Sequence, residues 1–350
     1  MSAPASAGLP LLSETFARIG RGLSRPECVL CNAAGEIIVS DWCGGVCVIG
    51  RDGRQRLVVP AAGSMLKPNG IALCQDGGLL LAHMGETEGG VWRIDPGGVL
   101  RPFVLEVEGQ ALEPTNYVYV DEAERVWITV STRQVPRYGA RRAGRPDGYI
   151  ILSEARGTRI VADGLGFANE VRVSPDGRWL YAVETFSRRI SRFRIGADGA
   201  LSGREVFFEF ENGSFPDGIA FDAEGGLWVA CVFADRILRI DADRSAAVLF
   251  TGQSAAILKE LDAAWAAGAW VSPGPIRVPP APLGNCTSLA FGGQDLRTLY
   301  VGCLEADRIS AFRTGVAGIA LAHWHWRVSP TLLIRDAGAE ASCDQGRRRA

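Results

Sequence analysis

Residues 214–232 read SFPDGIAFDAEGGLWVACV, and this stretch carries the pattern that decides the fold. Two short apolar runs, 219–221 and 227–231, lie on either side of the turn sequence Asp-Ala-Glu-Gly. Such a pair of runs around a glycine-containing turn predicts a β-hairpin. Asp217 stands out because it begins the first run, and a carboxylate is rarely buried in a strand without a partner. The hairpin therefore predicts a partner for Asp217.

The hairpin pattern occurs six times along the 350 residues, counting the copy at 217. The residues that begin the six copies, called the anchor residues below, are Glu27, Asn69, Asn116, Asn169, Asp217 and Thr287. The copies continue into a third apolar run and mostly into a weaker fourth. Six units of about four strands, each of roughly 40–50 residues, indicate an all-β, six-bladed β-propeller with short four-stranded antiparallel blades. An α/β fold would need a helix-period segment after each strand pair, and none is visible.

We predict one propeller domain at residues 21–335, after an N-terminal segment at 1–20 and before a disordered tail at 336–350. Two insertions interrupt the repeat: residues 133–147, a loop with five arginines, and residues 253–282, which begin with helical character. The sequence leaves two alternatives for the strand that closes the ring. Residues 323–328 are expected to form a late outer strand, or part of the closure together with residues 11–18.

Composition narrows the class of protein. The formal net charge of −2 argues against nucleic acid as a partner, and no run of 18 apolar residues predicts a membrane helix. Nine cysteines, without a recognisable secretion signal, predict reduced thiols in a cytoplasmic protein. Cys28 and Cys31 point to opposite faces of a predicted strand, so we do not interpret them as a zinc site.

All six anchor residues are polar, although each begins an apolar strand. The first strand of every propeller blade lines the central channel, so the anchor side chains are expected to converge there. Carboxylates and carboxamides are hard oxygen donors that suit Ca²⁺ first, with Mg²⁺, Mn²⁺ and Zn²⁺ as alternatives. One divalent metal ion would explain how the acids at 27 and 217 are buried. The other interpretation is a ring of turn caps, which does not account for Glu27.

Three segments resemble the gluconolactonase/regucalcin (senescence marker protein) family of six-bladed lactonases. They are residues 216–230, 291–301 and 174–181, within a resemblance that covers roughly 25–313. The resemblance implies that Glu27, Asn169 and Asp217 bind the metal ion and that Asp217 is also the general base. It places Asn116 near metal and substrate, as a second catalytic residue.

The resemblance has departures beside the anchor residues. In the family Glu-Gly-Pro is common in blade one and Asn-Gly in blade four, where this chain has Glu27-Cys28-Val29 and Asn169-Glu170. Blade three of the family has an arginine that contacts sugar substrates, and Pro114 stands at that position here. This departure weighs against an aldonolactone as the substrate.

The sequence thus predicts a metal-dependent hydrolase that opens a sugar lactone or related cyclic ester with activated water. Asn69 and Asn116 are expected to contact substrate, and His83 and Glu184, at the end of the second strand of their blades, are added as substrate-binding candidates. The arginine-rich loop would be a lid that attracts a carboxylate-bearing lactone, or a solvated surface loop. Alternatives for the chain are other metal-dependent chemistry (phosphotriester hydrolysis, hydration or isomerisation) and a non-enzymatic binding module.

Overall fold

The computed structural model describes residues 12–13, 15–60, 66–142, 144–271, 278–332 and 334–336. Six small antiparallel sheets form a six-bladed β-propeller, which confirms the predicted fold. The first strand of each blade lies at the channel and successive strands follow outward. Of the tail predicted to be disordered at 336–350, Asp336 is described and ends a short strand, and residues 337–350 lie outside the described residues.

The first three blades follow the chain in order. Blade one contains β2 (Val29–Cys31), β3 (Ile37–Asp41), β4 (Gly45–Ile49) and β5 (Gln55–Val58), with β27 (Ile334–Asp336) paired outside β5. Blade two contains β6 (Pro68–Leu73), β7 (Leu79–His83), β8 (Val91–Ile94) and β9 (Leu100–Val104). After a small hairpin of β10 (Glu106–Val107) and β11 (Gln110–Ala111), blade three contains β12 (Thr115–Val120), β13 (Val126–Val130), β14 (Gly148–Glu154) and β15 (Gly157–Leu165).

The remaining blades repeat this arrangement. Blade four contains β16 (Ala168–Val173), β17 (Trp179–Glu184), β18 (Arg189–Ile195) and β19 (Leu201–Glu209). Blade five contains β20 (Phe215–Phe221), β21 (Leu227–Val232), β22 (Arg236–Ile240) and β23 (Ala246–Thr251). Blade six contains β24 (Cys286–Gly292), β25 (Thr298–Cys303), β26 (Ile309–Arg313) and, as its outer strand, β1 (Ala17–Ile19).

The ring is closed by the N-terminal strand β1. Ala17 pairs with Ala311 and Ile19 with Ile309 in an antiparallel register, so blade six combines strands from both ends of the chain. The outer strand of blade six therefore lies within residues 1–20, which the sequence analysis assigned to a separate N-terminal segment. The expectation of an outer strand at 323–328 is wrong, because residues Ala322–His325 form a 3₁₀ helix.

Apolar side chains fill the spaces between neighbouring blades. Trp127 and Trp228 are almost completely buried, and their indole Nε1 atoms donate to Asp121 Oδ2 at 2.8 Å and Asp222 Oδ2 at 2.7 Å. Each aspartate begins the turn after its inner strand, so the bond ties that turn to the second strand. These tryptophans belong to the core between blades and do not form a ligand cage.

The two insertions contact each other. The first contains a 3₁₀ helix at Arg137–Ala140. The second contains the helix α1 (Ala255–Ala266), capped by the Ser254 hydroxyl, and a 3₁₀ helix at Ala269–Val271. The two 3₁₀ helices are in contact, and the Trp270 ring lies 4.6 Å from that of Phe215, two residues before an anchor. The insertions thus meet above the start of blade five.

Seven of the eight cysteines in the described part are free thiols, and Cys43 is disulfide-bonded. The prediction that all the cysteines are reduced is therefore wrong for Cys43. No helix among the described residues is both long and apolar enough to span a membrane.

Candidate active site

The anchor residues of blades two to six lie at β-bulges in their inner strands. In blade five, for example, Pro216 pairs with Cys231 and the next paired residue is Ile219, so Asp217 and Gly218 have no partner across the ladder. The register shifts at the corresponding place in blades two, three, four and six. A bulge turns side chains away from the regular alternation of a strand. This geometry explains how a polar residue can face the channel from an otherwise apolar strand.

Glu27 has no bulge, because it lies two residues before β2. Its carboxylate Oε2 accepts from Arg25 Nε at 2.9 Å, and Arg25 stacks on the ring of Trp42. Its backbone oxygen accepts from the hydroxyl of Thr287 at 2.8 Å, which joins the first and last blades at the channel. Glu27 is therefore fixed in the channel with one carboxylate oxygen paired to an arginine.

Asp217 is buried in an unfavourable electrostatic environment. Burial raises the pKa of the Asp217 carboxyl well above its usual value, and the nearby carboxyls of Glu27 and Glu170 raise it further. Arg25 and a hydrogen bond with Asn169 offset this only in part. The structure thus brings together three residues that the sequence assigned to one metal ion. Buried like charges of this kind are stabilised by a bound cation.

Asn116 and Asn69 are linked to each other. Asn69 Nδ2 donates to the backbone oxygen of Asn116 at 3.1 Å and to its Oδ1 at 3.3 Å, while Asn116 Nδ2 donates to Ser131 Oγ at 2.9 Å. Asn69 Oδ1 is buried with no hydrogen-bond partner among the described residues. Asn69 therefore offers an acceptor, which suits a cation or a substrate hydroxyl and is compatible with the substrate contact expected from the sequence.

The two candidates on second strands differ from the anchor residues. His83 is buried, and its Nδ1 accepts from the backbone N–H of Lys67 at 3.0 Å, which leaves the proton on Nε2, 3.7 Å from Glu88. Burial lowers the pKa of His83, although Glu88 opposes the change, so the ring is neutral near pH 7.

Glu184 is completely buried, and both its carboxylate oxygens are occupied. They accept from Arg189 and Arg204, from the hydroxyl of Ser191 and from the backbone N–H of Gly166. Burial raises its pKa, but hydrogen bonds from Arg189, Gly166 and Ser191 outweigh it and hold the pKa below its usual value. The geometry gives Glu184 a structural role, and we do not retain it as a substrate contact.

Sequence reasoning missed three charged residues of the channel: Glu170, Arg172 and Arg137. Glu170 follows Asn169 in the same bulge, and burial raises its pKa to about 7 despite Arg172. Its Oε2 accepts from the backbone N–H of Ile219 at 3.1 Å and lies 3.6 Å from Arg172 Nη2. The sequence signal for Glu170 was the pair Asn169-Glu170 where the family commonly has Asn-Gly. This pair indicates a second acid in the channel only when a bulge is assumed at this place.

Gly218 provides the space for this acid. A Cβ on Gly218 would lie 2.3 Å from the Thr287 backbone oxygen, 2.7 Å from Ser288 Cα and 3.1 Å from Glu170 Cδ. Any larger residue would displace the neighbouring inner strand. The inner strands of blades four, five and six therefore approach each other closely at Gly218.

No group of three or more His, Cys, Asp or Glu side chains in the described residues is arranged to hold a metal ion by itself. The candidate set differs in kind, because it contains two carboxylates, Glu27 and Asp217, and carboxamides. Its chemistry still fits a hard cation, since the acids are buried as like charges and the carboxamide oxygen of Asn69 is unpaired. We therefore retain these residues as the candidate metal centre.

Comparison with known proteins identifies the class. The family model for the SMP-30/Gluconolactonase/LRE-like region matches residues 51–248, and the chain belongs to this family. It is 30% identical over 239 residues to the 6-deoxy-6-sulfogluconolactonase of Pseudomonas putida, covering 67% of this chain and 68% of that protein. The matches to three further curated relatives, among them the regucalcin of Sus scrofa, cover 46%, 37% and 38% of the length of those proteins.

Solved structures support the same fold. A gluconolactonase from Xanthomonas campestris superposes with a TM-score of 0.62 at 19% identity, over 89% of this chain and 96% of that one. A calcium-binding regucalcin from Agrobacterium tumefaciens gives a TM-score of 0.59 at 20% identity, over 89% and 95% of the two chains. The family resemblance inferred from residues 216–230, 291–301 and 174–181 is thus confirmed.

Proposed function

We propose that the protein is a metal-dependent lactonase that hydrolyses a sugar lactone or related cyclic ester. The observation that carries the proposal is the buried arrangement of Asp217 beside Glu27, Glu170 and Asn169 at the mouth of the channel. Membership of the family and the name of the Pseudomonas putida relative support lactones as the substrate class.

Glu27, Asn169 and Asp217 would hold one divalent cation, with Ca²⁺ as our first choice and Zn²⁺, Mn²⁺ or Mg²⁺ as alternatives. The description of the Agrobacterium relative as calcium-binding supports this order. When bound, the cation would supply a Lewis acid for the ester carbonyl and would offset the repulsion between the two carboxylates.

The protein's own groups would then move the protons. Asp217 takes a proton from the water whose oxygen attacks the carbonyl carbon and so acts as the general base. The bond between the carbonyl carbon and the ring oxygen breaks, and the proton returns to that oxygen. The product is a hydroxy acid.

Substrate position would depend on Asn116 and Asn69. One N–H of Asn116 is fixed by Ser131, and the other, which has no acceptor among the described residues, would donate to the developing oxyanion. Asn69 offers its unpaired oxygen to a hydroxyl of the substrate. His83, the other candidate from the sequence, is retained as a neutral donor through Nε2 at the edge of the site.

The cytoplasmic location stays a prediction. The seven free thiols are in favour of a reducing compartment, and the bonded state of Cys43 is against it.

A metal panel tests the proposal. Protein treated with a chelator and protein loaded with Ca²⁺, Mn²⁺ or Zn²⁺ would be assayed against sugar and non-sugar lactones, with thermal unfolding as the second measurement. A cation held by the native state at one hundred times its Kd raises the free energy of unfolding by about 2.7 kcal/mol. Absence of both hydrolysis and stabilisation with every metal would contradict the proposal.

Asp217→Asn separates the two roles of this residue. We expect kcat to fall by about 10²–10⁴-fold because the base is lost, and stabilisation by Ca²⁺ to weaken because one charge is lost. Asp243→Asn, at an exposed turn of the same blade, is the matched control and should change neither quantity. Full activity of Asp217→Asn would refute the assignment.

A further inference from the structure

The arginine-rich loop places one of its arginines at the mouth of the channel. Arg137 begins the 3₁₀ helix Arg137–Ala140, which is packed against the 3₁₀ helix Ala269–Val271 of the other insertion. Ala140 is buried in the same apolar cluster as Phe186 and Trp270. The base of Arg137 is therefore held by the contact between the two insertions, unlike that of an arginine on a solvated loop.

The guanidinium of Arg137 has weak partners. Its Nη2 donates to Ser131 Oγ at 3.0 Å, its Nη1 contacts the sulfur of Met84, and the group lies over the ring of Phe167 at 4.9 Å. Its Nε is buried without a hydrogen-bond partner among the described residues. None of these partners carries a negative charge. Arg137 is only partly buried, and a guanidinium that is partly removed from water is more stable when it is paired, so the group has unused capacity to bind an anion.

Ser131 connects this arginine to the reacting end of the site. Its hydroxyl oxygen accepts from both Arg137 Nη2 and Asn116 Nδ2, at 3.0 and 2.9 Å. The carboxyls of Glu27 and Asp217 also interact electrostatically with Arg137. The guanidinium is thus one hydrogen-bonding residue away from the anchor that we place beside the substrate carbonyl.

With a divalent cation bound in the site, the positive charge of Arg137 is left without a counter-charge among its described contacts. Burial lowers its pKa to about 10, so it is still protonated near pH 7. Glu27 and Asp217 would be neutralised by a divalent cation, and Glu27 already pairs with Arg25. The positive charge of Arg137 then has no compensating carboxylate in contact with it in the part of the chain that the structure describes.

We infer that Arg137 is a specificity residue that binds an oxyanionic substituent, a carboxylate or sulfonate, on the lactone. This inference rests on the proposed lactonase function and deepens it. The planar guanidinium can form two parallel hydrogen bonds to such a group, and these bonds are strengthened by charge. Arg137 also supplies, from an insertion, a cation that the third blade lacks at Pro114.

Matched substrates test the inference. D-glucaro-1,4-lactone carries a carboxylate where D-glucono-1,4-lactone carries a hydroxymethyl group. The same replacement relates γ-carboxy-γ-butyrolactone to γ-hydroxymethyl-γ-butyrolactone, which are not sugars. We expect Ca²⁺-loaded wild-type protein to show a kcat/KM at least about tenfold higher for the anionic member of whichever pair it hydrolyses.

Variants assign the preference to Arg137. Arg137→Gln should lower this ratio by about 10–100-fold through the anionic lactone alone, and Arg137→Lys should restore part of it. Arg133→Gln is the matched control, because Arg133 lies in the same loop and is paired with Asp163 by two hydrogen bonds. It should leave the ratio unchanged. Thermal unfolding of each variant checks that it is folded.

The possible outcomes separate this inference from the proposed function. A preference for the neutral lactones, or an Arg137→Gln variant in which both rates fall equally or neither changes, would overturn the role of Arg137. If the wild type opens no lactone, calorimetric titration with D-glucarate and D-gluconate decides. Tighter binding of glucarate that depends on Arg137 would support the anion site, while equal binding by wild type and variant would refute it.

Discussion

Acidification should destabilise the protein through His323, which is buried where the segment after blade six packs against the channel. The ring borders a small pocket that is also lined by Arg172 and Cys31. Burial, and then the positive charge of Arg172, lower the pKa of His323 to about 4, while a hydrogen bond to the backbone of Cys31 acts in the opposite direction. Imidazole in an unfolded chain has a pKa of about 6.5.

The lower pKa of His323 in the folded protein makes the free energy of unfolding decrease in acid. The unfolded chain takes up a proton at His323 below about pH 6.5, whereas the folded protein does so only near pH 4. The contribution of neutral His323 to the free energy of unfolding is therefore complete above about pH 6.5 and is lost as the pH falls to about 4. One pKa unit corresponds to about 1.4 kcal/mol, so the loss from this residue approaches about 3 kcal/mol at the acid end.

Urea unfolding between about pH 7 and about pH 4 measures this contribution, with His323→Gln as the perturbation. Carboxylates also titrate in this range, so the quantity to compare is the pH dependence of the wild type minus that of the variant. His325→Gln, two residues along and exposed, should keep the wild-type dependence. Equal pH dependence in wild type and His323→Gln would refute the reasoning.

Two further predictions concern stability. Glu184→Gln should lower the free energy of unfolding by about 3 kcal/mol, because it breaks a buried charge network, and should leave kcat/KM of the folded protein unchanged. The control is Asp163→Asn, which breaks an exposed pair and should lower the free energy of unfolding by under about 1 kcal/mol in the same urea titration. A large loss of kcat/KM without loss of stability would instead return Glu184 to the substrate site. Gly218→Ala should cost about 1–3 kcal/mol, since its Cβ would meet backbone atoms of blade six, whereas Gly97→Ala meets only a side-chain oxygen at 3.4 Å. Equal unfolding midpoints for the two alanine variants would contradict the close packing at Gly218.

The blades could be predicted because their signal is local. Each hairpin carries its own alternation and turn, as in residues 217–230, so six copies identify the fold without knowledge of any distant contact. The polar anchor residues were visible for the same reason, since a polar residue at the start of an apolar strand is a departure within a few residues. Their convergence then followed from the symmetry of the propeller.

The features that were missed depend on contacts between distant segments. The position of Arg137 results from packing between two insertions more than a hundred residues apart in sequence, so a charge count for the loop could not place it. The position of Glu184 at the end of β17 suggested a substrate contact, because its partners Arg189 and Arg204 lie on the two following strands and could not be assigned from the sequence. The bulges, which add Glu170 to the channel, appear only when the pairing of both strands is known.

The closure of the ring by β1 has a consequence for biosynthesis. Arg18 and Ser310 are joined by a hydrogen bond although 292 positions separate them, so the outer edge of blade six is completed only when nearly the whole chain has been translated. Until then β1 has no partner strand, and an unpaired strand edge is a template for pairing with other chains. Contacts this distant in sequence also form slowly. The last step of folding is therefore the one most exposed to aggregation, and expression at low temperature or with chaperones acts at that step.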